Sequence, residues 1–217
     1  MPEAKPRLAV VPWDGDRLLS GDDPGLDNYP GLADYWRRAE GLWNQHRSSD
    51  RLTLLQRLDY RRGLSQQFPT PEHRVVYSKG GMYLAAARIS DPSVVIDHKL
   101  YWGTAATVEE ARYLVAILNT DAMTQRVRPL QARGEHNPRD FDKYVWWVPV
   151  PLYEESDDRH RALAGLSAEA EEFVASLDLS GGVAFEALRR RVRQELAASK
   201  TGKQIEVIVT ELLNEQS

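Results

Sequence analysis

The chain has 217 residues, 28% charged and 42% hydrophobic, with a mean hydropathy of -0.52 and a formal net charge of -4. That length buries a real core and fits one large domain, or one domain with a helical appendage. The absence of cysteine excludes disulfides and thiolate metal sites and fits a cytoplasmic protein. No apolar run approaches the roughly 18 residues of a membrane helix, and residues 1–10 lack the layout of a signal peptide. No membrane partner is expected.

Charge is distributed unevenly. Residues 1–36 carry 3 Lys/Arg against 7 Asp/Glu, residues 37–143 carry 17 against 12, and residues 144–217 carry 8 against 13. The net charge of -4 argues against general coating of nucleic acid, while a basic middle between acidic ends is compatible with a local basic surface.

In chain order, residues 1–30 are rich in Pro, Gly and Asp and read as an irregular lead-in, with one strand at 8–11. Trp36, Ala39, Leu42 and Trp43 recur at helical spacing and predict a helix over 35–47. A second helical stretch covers 52–65. Strand signals begin at His73, turn at Lys79-Gly80-Gly81 and return over 82–89. Residues 94–96 and 99–102 continue the strand-rich block. Thr107 with Glu110 is a capping box opening a helix to Leu118. Asn119-Thr120-Asp121 is a break before a shorter helix to Val127. The basic segment 125–139 then leads into Tyr144-Val145-Trp146-Trp147-Val148, which reads as a closing strand ending at Pro149-Val150-Pro151. Helices are predicted over 158–177, 185–198 and 203–213. In the second of these, Val192 and Leu196 lie on the apolar side while Arg189, Arg190, Arg191 and Arg193 crowd the rest.

Catalytic motifs are hard to find. Gly80-Gly81 and Gly181-Gly182 lack the strand-turn-helix context of a nucleotide loop, and Gly202-Lys203 precedes Gln204 rather than Ser or Thr. Asn137-Pro138-Arg139-Asp140 shares only its first two letters with the Asn-Pro-Pro-Tyr loop of amino-methylating enzymes. Val94-Val95-Ile96-Asp97-His98-Lys99 resembles a metal-nuclease signature, in which carboxylates hold a divalent cation and a lysine positions water. Its upstream partner acid is missing, Asp91 being too close in sequence. The five histidines form no i,i+3 or i,i+4 pair, so a metal site has no local support.

Binding chemistry is better represented. Lys79 at a hairpin tip, Arg88, and Lys99 beside Tyr101 and Trp102 mix charge with aromatic surface. Arg126, Arg128, Arg133 and Arg139 supply phosphate-type donors, and Gln131 has the geometry to read adenine. These ten residues form the candidate DNA-binding set.

The runs RVVYSKGGMYLAAA from Arg74, VIDHKLYW from Val95, EARYLVAILNT from Glu110, VRPLQARG from Val127 and KYVWWVPVP from Lys143 resemble the C-terminal part of bacterial N6-adenine DNA methyltransferases of the type IIG or type I-like restriction-modification class. The chain is also similar to type I specificity subunits, in which a closing strand and Pro-x-Pro lead into a spacer helix. The resemblance covers residues 35–217. It implies an α/β (α+β) target recognition domain with a mixed sheet flanked by helices, followed by a C-terminal helical segment. The implied boundaries are 1–30 for the lead-in, 31–152 for recognition and 153–217 for a spacer that packs on a partner. The implied function is sequence-specific recognition of double-stranded DNA. No catalytic residue, metal or cofactor is expected in this chain, and S-adenosylmethionine belongs to an attached methyltransferase domain or subunit. The alternatives are a metal-dependent nuclease using Asp97 and Lys99, and a protein-interaction module for an acidic partner.

Overall fold

The structure, a computed structural model, describes residues 8–131, 140–179 and 184–216. Two compact units organise the described residues: one within 8–71 and 92–98, the other within 72–91 and 99–216. Each has its own hydrophobic core.

In the first unit, helix α1 (Pro30–His46) starts with a proline in its first turn, where the missing N–H has no helical partner to lose. Its buried Ala33 and Trp36 meet Leu19 and Leu26, so the segment expected as an irregular lead-in supplies half of this core. Residues 8–11 form no strand; an isolated bridge joins Trp13 to Leu18 instead. The helix expected over 52–65 is broken into α2 (Leu54–Leu58) and two short 3₁₀ turns. Arg61 and Arg62 take left-handed backbone conformations there, at φ 55° and 61°, which a continuous helix excludes. Residues 94–96 are not a strand either. Ile96 is held by the buried Gln67, whose amide oxygen accepts from the Ile96 N–H (2.7 Å) and whose amide nitrogen donates to the Ile96 carbonyl (3.0 Å). A side chain thus satisfies both backbone groups that a strand neighbour would have paired.

The second unit holds a sheet of order β2-β1-β3, built from β1 (Arg74–Ser78), β2 (Ala86–Ile89) and β3 (Leu100–Thr104). Both pairings are antiparallel, so the mixed sheet expected from the resemblance is corrected to an antiparallel one. The coarser α+β reading holds. Cross-strand partners share a face: Val75 and Tyr77 face the main core, while Val76 and its partner Trp102 belong to the other face.

Helix α3 (Val108–Leu118) begins as its sequence dictates. Thr107 accepts from the Glu110 N–H, and the Glu110 carboxylate accepts from the Ala106 N–H, one residue earlier than a standard capping box. Helix α4 (Asp121–Val127) is capped by Thr120 in the same way. Helices α5 (Asp158–Ser176), α6 (Phe185–Ala198) and α7 (Lys200–Glu215) follow. Leu163 of α5 and Val209, Leu212 and Leu213 of α7 enter the same core as α3, whereas α6 buries no residue fully. A polar joint closes the start of α5. The buried His160 accepts from the Glu154 N–H at 3.0 Å through Nδ1, and the Tyr113 hydroxyl donates to the Pro151 carbonyl at 2.9 Å. No helix among the described residues is long and apolar enough to cross a membrane.

Candidate nucleic-acid interface

The β1–β2 connection is not the tight hairpin expected at Lys79-Gly80-Gly81. Ser78 donates to the Ala85 carbonyl at 2.9 Å, and residues 79–85 form an open loop. Leu84 turns inward and its N–H donates to Thr124 Oγ1, which takes that residue out of the returning strand. Gly81, at φ 141°, occupies a conformation that side-chain-bearing residues avoid. The chain at 140–141 comes back to this loop. Gly80 bridges Asp140, and the Phe141 N–H donates to the Lys79 carbonyl at 2.8 Å.

Immediately afterwards the backbone reverses at Asp142, which sits at φ 38°. Residues 142–147 then form a 3₁₀ helix, where a closing strand was expected. The correction has a simple origin. The segment stays outside the three-stranded sheet, and three residues per turn place Val145 and Val148 on one side. Both are buried, while Trp146 and Trp147 are turned outward at 46% and 57% exposure. Read as a strand, this aromatic pair belongs to the sheet, whereas both indoles stand at the surface.

Tyrosines hold the turn to the sheet. Tyr77 donates its hydroxyl to the Asp142 carbonyl at 3.1 Å, and Tyr101 bonds the Asp142 carboxylate. The two rings stack at 5.5 Å, and Trp146 meets Tyr77 edge-on at 5.7 Å. Burial raises both phenols to about 12; the bond from Trp146 partly opposes this at Tyr77, and the bond to Asp142 adds to it at Tyr101. The Asp142 carboxyl is held below its ordinary range, first by the Tyr101 bond, with Lys143 and Lys79 adding to it against the effect of burial.

Cations ring this aromatic group. Lys79 Nζ lies 5.0 Å from the Tyr101 centroid and Lys143 Nζ 5.9 Å from that of Trp147. Leu100 pairs with Ser78, so the exposed Lys99 enters β3 at the Lys79 end of the sheet. Arg128 reaches the Met82 carbonyl in the loop. Flat apolar faces among lysines suit ligands that combine planar rings with anionic groups.

The candidate residues therefore separate. Lys79, Lys99, Tyr101 and Arg128 gather at one end of the sheet. Arg88 instead forms a two-pronged pair with Glu171, at 3.1 and 3.2 Å. Arg126 donates to Asn214 at 2.8 Å, and Trp102 belongs to the opposite sheet face. Gln131 is 6% exposed, which removes it from direct reading of bases. Arg133 and Arg139 lie outside the described residues.

The nuclease signature is not assembled. Asp97 is exposed beside His98 at 3.3 Å, on irregular chain rather than at a strand end. Among the described residues no three His, Asp or Glu side chains converge as a metal site.

No family model, curated protein or solved structure matches the chain. The reading of the site thus rests on its own chemistry.

Proposed function

We propose that this chain binds double-stranded DNA through the surface formed by Trp146, Trp147, Lys79 and Lys143, and that it serves as the target-recognition module of a restriction-modification N6-adenine DNA methyltransferase. Catalysis belongs to a separate methyltransferase domain or subunit that binds S-adenosylmethionine. The observation that carries the reading is the exposed Trp146–Trp147 pair, with Lys143 over the Trp147 ring and Lys79 over the neighbouring Tyr101 ring, on a turn tied to the sheet by Tyr77. Lysine ammonium groups answer phosphates without regard to sequence, whereas rigid side chains directed into a groove answer base edges. Indole rings carry large contact area at low conformational cost, which suits them to the second role.

Titrating intrinsic tryptophan fluorescence with a mixed-sequence duplex at low salt tests this. Saturable quenching by the duplex, with no response to poly-glutamate, is expected. An equal response to poly-glutamate favours the acidic-protein reading instead, and no response from folded protein rejects DNA binding. Plasmid cleavage in Mg²⁺ that is lost in Asp97→Ala returns the nuclease reading.

A further inference from the structure

The basic face of α6 adjoins the same loop. Arg193 stacks its guanidinium 3.6 Å from the centroid of the Tyr83 ring, and Tyr83 lies in the β1–β2 loop beside exposed Met82. Arg193 also lies 3.8 Å from Asp121 at the start of α4. One side chain therefore fixes the middle of α6 against the loop that Lys79 begins.

At 100° per residue, Phe185, Arg189 and Arg193 fall on a single stripe of α6, with Arg190 next to it. Arg189 reaches over the Phe185 ring at 5.8 Å. Arg191 points to the opposite side. Other arginines of this unit are committed: Arg88 and Arg112 to Glu171, Arg159 to Glu215, and Arg161 to Asp158. Among the described residues no ion pair engages Arg189, Arg190 or Arg191, and all three are exposed. The helix buries no residue fully, so these arginines are not there to complete a core.

We infer that Arg189 and Arg190 form a phosphate-binding ridge, which Arg193 and Tyr83 join to the Lys79 loop and so extend the DNA footprint from the sheet end onto α6. This rests on the DNA-binding reading of the Trp146–Trp147 surface. The occupant is argued from charge and continuity. The ridge presents uncommitted guanidinium groups, and it continues a surface whose lysines and indoles suit the same polyanion. The ridge supplies affinity without base choice, because guanidinium groups on a helix exterior meet the phosphate backbone and not the groove floor.

The test compares the wild-type chain, Arg189→Gln/Arg190→Gln and Arg191→Gln for binding of a fluorescein-labelled 20-base-pair duplex, by anisotropy between about 50 and 200 mM salt. Glutamine keeps helix propensity near that of arginine, and matching circular dichroism confirms the fold. The double variant is expected to reduce the slope of log K against log salt by about 2, since each lost phosphate contact removes about 0.9. Arg191→Gln is expected to change the slope by less than half a contact, and two unrelated duplex sequences are expected to lose affinity equally in the double variant. An unchanged slope in the double variant while wild type binds overturns the ridge alone. An Arg191→Gln effect per residue equal to that of the pair overturns its geometry. Failure of the wild type itself to bind overturns the ridge together with the reading beneath it.

Discussion

Glu171 accepts hydrogen bonds from both Arg88 and Arg112, and its side chain is one-third exposed. Burial alone would raise its carboxyl; the two guanidinium groups outweigh that and hold it below the ordinary glutamate range. Stability from this cluster is therefore fully present above the unfolded glutamate value and is lost as pH falls through the lowered one. Arg88→Ala is expected to cost about 1.5–3 kcal/mol, the range for a hydrogen bond to a charged group. Urea unfolding would measure the cost, and the folded variant should keep its DNA affinity. Tyr77 and Tyr101 behave oppositely in sign. Both phenols are raised to about 12, so the neutral, donating form persists well above the ordinary tyrosine range. Their contribution is complete below the unfolded value near 10 and is lost as pH rises toward about 12. Ultraviolet titration is expected to show a late-ionising class of tyrosines, from which Tyr101→Phe removes one member. If that variant leaves the late class intact, the Tyr101–Asp142 bond is not formed.

The 3₁₀ segment Asp142–Trp147 divides its side chains by a three-residue period, and its mutational response should divide likewise. Val145→Ala opens space at a fully buried position and is expected to lower stability by about 2 kcal/mol. Trp147→Ala, at an exposed position, should stay within about 0.5 kcal/mol while weakening DNA binding. Chemical denaturation of both variants checks the contrast. The same segment shows why part of the site was not legible in sequence. V-W-W-V satisfies an i,i+3 pattern as well as it satisfies a buried strand. Only the tertiary fold, which leaves this segment outside the three-stranded sheet, decides between them. Elements set by local signals were legible: α3 and α4 by their threonine caps, β1 by its β-branched run, and α5 to α7 by periodicity. Of the candidate set, Lys79 was legible as a loop residue. The pairing of Arg88 was not legible because its partner Glu171 lies on remote chain, and the burial of Gln131 was not legible in a segment that reads as loop.

Across the whole chain, acidic and basic residues nearly balance, so binding to a polyanion has to come from where the cations stand and not from their number. In the second unit the acidic residues Glu171, Glu215 and Asp158 are occupied by arginines. Lys79, Lys143, Arg189 and Arg193 lie over aromatic rings, and Arg190 and Arg191 are exposed. That segregation is what turns a chain of negative net charge into a candidate DNA binder. If Trp146 and Trp147 carry the contact with DNA, duplex-binding anisotropy of Trp146→Ala/Trp147→Ala against wild type reads it out. Stacking or groove contacts of this kind are worth about 1–3 kcal/mol each. At least a tenfold loss of affinity is expected at every salt concentration with an unchanged salt slope, because indoles release no counterions. Equal affinity of the folded double variant and wild type, or a wild type that binds no duplex at about 50 mM salt, would contradict it.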